Sequence, residues 1–312
     1  MMPCHGDNPE RIVHIEDRKF RYADFCQQCG KLQSRYSVLK FASIGQSVLG
    51  KPIWCVRIGK GSRQVHVNAA VHANEWITAA LLLRFLEDYA AALEDEDPKS
   101  GQTTTRRQAE AWYSDYTLWA VPMVNPDGVD LSQNGADHCG PYRSRLLEWN
   151  GQSPDFTRWK ANIRGVDLND QFPAFWEVER ERRGIGGPSP QDYSGPAPLS
   201  EPEASALAVL TRGVPFEHVV SLHSQGKEIY WNYRDLEPAE AESMAARLAA
   251  AGRYRAVKLE GSDAGYKDWF IQEFRRPGFT VEVGEGVNPL PPEDFEEIYL
   301  DVHAILAEAL SL

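Results

Sequence analysis

Two side chains in His72-Ala-Asn-Glu75 could bind one ion. They follow the apolar run Val65–Val71 (VHVNAAV), which reads as a strand, and precede Trp76–Tyr89 (WITAALLLRFLEDY), which reads as a helix. A His and a Glu three residues apart at a strand-to-helix turn can aim an imidazole nitrogen and a carboxylate oxygen at one point. That donor pair suits zinc. A third ligand and an open position for water would complete a hydrolytic centre. His223 supplies the candidate third ligand. It ends a second apolar run, His218-Val-Val-Ser-Leu-His223. Alone it reads as a buried core histidine, but in open α/β sheets the ligand crevice lies beyond the carboxyl ends of the strands. A hydrolase of this kind also needs a base. Glu282 is a lone carboxylate in the apolar strand-like run Phe279-Thr-Val-Glu282-Val. Glutamate is rarely buried without a role or a partner, and burial would raise its pKa into a useful range.

The elements that must position these groups alternate between strand and helix patterns, which points to an α/β sheet domain. The spacing predicts a helix over Tyr22–Tyr36 and strands over Phe41–Leu49 and Ile53–Ile58, joined at Gly50-Lys-Pro52. Further strands are expected at Thr117–Val124, His218–Leu222, Ile229–Tyr233 and Phe279–Val283. Further helices are expected from Glu201 to Leu210, over Pro238–Ala251, over Tyr266–Phe274 and over Pro292–Leu310. Residues 95–107 read as a polar surface loop. From Asn125 to about Ser200 the chain is rich in Gly, Pro, Asn and Asp and reads as a long functional loop region, most flexible over 184–198. The expected division is an N-terminal helical segment, 1–35, packed on a catalytic domain, 36–312.

Composition sets the bounds. The chain has 312 residues, 42% of them hydrophobic, enough for a substantial core. A net charge of −12 argues against nucleic-acid or anionic-membrane partners. No run approaches the roughly 18 apolar residues of a membrane span. The N-terminus lacks a signal-like apolar core, and the five cysteines are odd in number and scattered, so free thiols and a cytoplasmic location are expected. Cys26-Gln-Gln-Cys29 has a redox or half-zinc spacing but falls in helix-like sequence with no second pair, and reads as packing.

Five ordered motifs carry a resemblance. They are His72-x-x-Glu75, Asn125-Pro-Asp-Gly128, Gly165-Val-Asp-Leu-Asn169, Ser221-Leu-His-Ser224 and Phe279-Thr-Val-Glu282. Together the chain resembles a zinc carboxypeptidase of the funnelin type from about Tyr36 to its end. The resemblance implies a single-domain α/β/α fold with helices on both faces of a mixed, twisted, roughly eight-stranded sheet. It implies one zinc held by His72, Glu75 and His223, with Glu282 as general base. The residue that polarises the scissile carbonyl would be Lys160 or Arg164. Family carboxypeptidases follow the motif Asn with an Arg that grips the substrate's terminal carboxylate. Here Asn169 is followed by Asp170, which would repel a carboxylate and suit an ammonium. Lys267 stands where the family tunes its side-chain pocket, and Tyr266 is the candidate for the tyrosine that closes over substrate. Asn74 stands where relatives often place a substrate-binding Arg. Asp170 and Lys267 together suit a zwitterionic side chain such as that of diaminopimelate. The string from Trp159 to Pro173 is also similar to the γ-D-glutamyl-diaminopimelate peptidase branch, which cuts bacterial wall peptides. The expected activity is hydrolysis of that bond in a small muropeptide. A zinc carboxypeptidase or small-molecule amide deacylase is the alternative, and a non-catalytic binding protein the third reading.

Overall fold

The computed structural model describes residues 11–95 and 103–312; Cys4 and much of the expected 95–107 loop lie outside them. In chain order the elements are α1 (Tyr22–Arg35), β1 (Lys40–Gln46), β2 (Pro52–Gly59), β3 (Arg63–Ala69), α2 (Ile77–Glu94), α3 (Arg106–Asp115), β4 (Tyr116–Val121), α4 (Pro126–Asn134) and α5 (Arg143–Trp149). Then follow α6 (Trp176–Arg183), α7 (Pro202–Gly213), β5 (His218–His223), β6 (Glu228–Tyr230), α8 (Ala241–Gly252), β7 (Arg255–Val257), α9 (Tyr266–Phe274), β8 (Gly278–Glu282) and α10 (Phe295–Ala309).

The strands form one mixed sheet in the order β1-β2-β4-β3-β5-β8-β6-β7. Its centre, β4-β3-β5-β8, is parallel, while β1, β2 and β6 join antiparallel. Parallel strands need crossover helices that cover both faces, so central strands read as continuous apolar runs. β5 fits this: all six of its residues are buried. Val65, Val67, Val220, Leu222, Phe279 and Val281 share one core with α2, α8 and α10. On the other face Val219 packs with Leu207 of α7 and with Tyr266, Trp269 and Phe270 of α9. Phe25, Cys29 and Leu32 of α1 are buried in the first core, and Cys26, Cys29, Cys55 and Cys139 are free thiols. Among the described residues no helix is long and apolar enough to cross a membrane.

The region read as a long loop holds three helices. α4 begins with Asn125 as its N-cap, accepting from the Gly128 N–H at 3.0 Å, with Pro126 in its first turn. α5 and α6 follow, and a small third core of Leu146, Phe156, Trp159 and Ile163 holds this segment together. Helix α3 and the short strand β7 were not anticipated.

Candidate active site

The sequence places the site at the carboxyl ends of β3, β5 and β8. After β3 the chain turns at Ala70, whose N–H donates to Thr78 Oγ1 at 2.9 Å, and a single 3-10 turn over Ala73–Glu75 aims His72 and Glu75 the same way. The Asn-Pro-Asp-Gly motif braces this turn. The Asn125 side-chain amide donates to the carbonyls of Val71 and Ala161. A Cβ at position 128 would lie 2.6 Å from the Asn125 amide, so only glycine fits there. The Ala73 N–H donates to the Lys160 carbonyl at 2.9 Å and ties the 160 segment to the same turn.

His223 is the last residue of β5 and pairs in register with Glu282 of β8. The Nδ1 atoms of His72 and His223 are 3.2 Å apart. They lie 2.9 and 3.0 Å from the two oxygens of Glu75. All three residues are buried. Two imidazole nitrogens and a carboxylate facing one point make a borderline-metal donor set, and the ligand atoms lie within 4.8 Å of one another. The residues present therefore fit one zinc ion. Supporting contacts fix their orientation. Asp167 Oδ1 sits 3.1 Å from His72 Nε2, leaving Nδ1 as the inward atom. The Ser224 N–H donates to Glu75, and Asn288 donates to the Ser224 carbonyl and to Glu75 Oε1.

The electrostatics follow from crowding like and unlike charges out of water. Burial opposes charge on His72, but Glu75 and then Asp167 outweigh it and raise the imidazole to about 10. Burial also works against the Glu75 carboxylate, yet the two histidines hold it well below the usual range. Burial, then the Glu75 charge, push Glu282 up to about 8. Lys160 Nζ lies 3.8 Å from Glu75 Oε1. Burial lowers the Lys160 ammonium, but Glu75 and Asp167 more than compensate and keep it charged.

Of the two candidate carbonyl polarisers the structure brings Lys160 to the centre and not Arg164. The Arg164 guanidinium turns away to Glu201, 3.6 Å distant. The expected substrate wall is also corrected. Asp170 does not offer a free carboxylate to an ammonium: it is buried, and Arg183 pairs with it at 2.9 Å. Lys267 is neither exposed nor free. Its Nζ donates to the Asn232 carbonyl at 2.7 Å and to the Asp268 carboxylate. Tyr266 cannot close over a ligand, because it is fully buried in the α7/α9 core with its hydroxyl bonded to Thr211. Asn169 keeps a partly exposed side chain. Asp167 and Asn288 were missed as supporting residues. Asp167 lay inside a motif already singled out; nothing in the sequence marked Asn288.

A cleft of about 460 Å³ opens beside the centre, lined by Asn74, Arg158, Lys160, Gln191 and Val287 among others. Its lining holds two cations and no carboxylate, in a chain of net charge −12.

The zinc carboxypeptidase family model matches residues 25–303. The γ-D-glutamyl-L-diamino acid endopeptidase 1 of Lysinibacillus sphaericus is 46% identical over 303 residues, covering 97% of this chain and 74% of the relative. The uncharacterised protein YqgT of Bacillus subtilis is 42% identical over 271 residues, covering 86% and 70%. Among solved structures, bovine thrombin-activatable fibrinolysis inhibitor superposes with a TM-score of 0.73 at 20% identity, over 94% of this chain and 96% of that one. Murein-tripeptide amidase MpaA of Escherichia coli O157 gives 0.52 at 22%, over 86% and 91%. These two bear on the fold alone, and both share it. A match across nearly the whole chain, on a sheet whose strand ends converge on a zinc-type donor set, leaves one assignment: the chain belongs to the zinc carboxypeptidase family, hydrolases that use one zinc ion.

Proposed function

We propose that this peptidase hydrolyses the bond between the γ-carboxyl of D-glutamate and a diamino acid, diaminopimelate above all, in bacterial wall peptides. The observation that carries the reading is the 46% identity to a γ-D-glutamyl-L-diamino acid endopeptidase across 97% of the chain. Two features support it. Asp170 stands where carboxypeptidases that trim ordinary C-termini carry the carboxylate-gripping Arg. The cleft lining is cationic, as an acidic wall peptide requires.

His72, Glu75 and His223 would hold the ion, with Asp167 fixing the His72 ring. Bound zinc supplies Lewis acidity, which polarises a carbonyl and makes a nearby water more acidic. Glu282 stands beside this point, on the strand paired with His223. Its raised pKa makes it a stronger base than an ordinary carboxylate, able to take the water's proton and deliver it to the leaving amine. Lys160 supplies the fixed positive charge for the developing oxyanion.

The test is an assay of L-Ala-γ-D-Glu-diaminopimelate beside a hippuryl amino acid. Cleavage of the first alone is expected. Cleavage of the second alone would replace this reading with that of an ordinary carboxypeptidase.

A further inference from the structure

Arg158 and Asn74 form an arrangement that the catalytic chemistry does not use. Asn74 lies between two ligand positions, is 4% exposed, and its Oδ1 has no hydrogen-bond partner. A buried amide oxygen left unpaired costs free energy unless something brings it a donor. Its Nδ2 donates to the Arg158 carbonyl at 3.5 Å, so the two residues are tied together. The Arg158 backbone is anchored by its neighbour Trp159, which is 1% exposed and donates from its indole to the Asn162 carbonyl. The Arg158 side chain is exposed, and among the described residues no carboxylate pairs with it. Both residues line the cleft that contains Lys160. Asn169, Asp170, Tyr266 and Lys267 do not line it. A guanidinium without a carboxylate partner among the described residues and an unpaired acceptor, lining the same cleft as Lys160, suit a ligand that carries an anion and an N–H on one carbon.

A γ-linked glutamyl residue has that carbon. Its scissile carbonyl sits on the side chain, and a short methylene spacer leads to a Cα bearing both a free carboxylate and an acylated N–H. An ordinary α-linked peptide has no free carboxylate at that position. We propose, resting on the substrate reading above, that Arg158 binds the free α-carboxylate of the γ-glutamyl residue while Asn74 Oδ1 accepts its N–H. This pair would select a γ-glutamyl bond on the acyl side of the cut. Arginine suits the task because its planar fork matches a carboxylate.

The experiment compares zinc-loaded enzyme on L-Ala-γ-D-Glu-diaminopimelate and on the same peptide with the glutamyl α-carboxylate amidated. A charge-assisted contact of this kind gives the wild type a preference in kcat/KM of about 10- to 100-fold for the carboxylate form. Arg158→Gln is expected to collapse that ratio to within about threefold, with Arg158→Lys restoring part of it. Folding is checked by Tm and zinc content, which an exposed side chain should leave intact. A wild type that does not discriminate, or an Arg158→Gln variant that loses activity on both peptides with the ratio intact, overturns the proposal while leaving γ-glutamyl cleavage standing. Cleavage of neither peptide by the wild type overturns both.

Discussion

Two clusters of charged residues lie on either side of His72, and they are organised in opposite ways. In the first, His72, Glu75 and His223 turn their donor atoms toward one another, with Glu282 pushed up to about 8 beside them. In the second, Asp170, Arg183, Glu179 and Asp192 satisfy each other. Arg183 lies 2.9 Å from Asp170, 2.8 Å from Glu179 and 3.0 Å from Asp192. The first set points two imidazole nitrogens and a carboxylate at one spot, a donor set that suits a cation. The second is tied together by one guanidinium, Arg183, set between three carboxylates. A family substitution such as Asp170 therefore need not create a new ligand contact: a charge introduced at a substrate wall can be absorbed by a partner from the next helix, here Arg183 of α6.

The largest effect that separates the two clusters belongs to Glu282. Glu282→Gln is expected to lower kcat by about 10³- to 10⁴-fold while zinc stays stoichiometric by metal analysis. Next come the two neighbouring aspartates. Asp167→Asn, which loosens the His72 ring, should weaken zinc by about 10- to 100-fold in a chelator competition. Asp170→Asn should leave zinc affinity close to wild type. Equal losses from both would mean that the two aspartates support the metal alike. Third, Arg183→Ala should destabilise the fold by roughly 1–2 kcal/mol, a figure discounted because a third of that side chain is exposed. Its signature is a lower Tm with KM nearly unchanged. A large rise in KM with Tm intact would return this pair to the substrate wall.

The smallest effect concerns Glu203 on α7, fully buried and pushed up to about 7 by burial. A carboxyl raised in the folded state binds more protons there than in the unfolded chain. Its neutral form is favoured at low pH, and wild-type stability is lost as pH rises from the ordinary carboxylate value toward about 7. Glu203→Gln, which cannot ionise, should gain stability relative to wild type between pH 5 and pH 8, by about 1–3 kcal/mol at most. A pH-independent difference in Tm would show that Glu203 does not titrate in that window.

How much could be read from the sequence follows the same division. The converging set was legible because His72 and Glu75 follow one apolar strand and His223 ends another, and strand ends of an open sheet meet on one edge. The general base was legible as a lone carboxylate in an apolar run. The pairing of Asp170 with Arg183 was not, because the two are 13 residues apart and on different elements. Lys267 was read as a pocket residue and Tyr266 as the closing tyrosine from the family resemblance, but their contacts with Asn232 and Thr211 come from distant segments. α4 was hidden by its composition, although Asn125 followed by Pro126 is a helix-start signal that a reading by Gly/Pro content overlooks. Arg164 and Lys160 could not be separated until the Ala73–Lys160 backbone bond brought one of them to the centre.

The most direct measurement of the central claim is mass analysis of the products that zinc-loaded enzyme makes from L-Ala-γ-D-Glu-diaminopimelate. Two products are expected, L-Ala-D-Glu and free diaminopimelate, lost on removal of zinc and restored by its return. Release of L-alanine instead, or an intact peptide under conditions where the enzyme holds stoichiometric zinc, would contradict it.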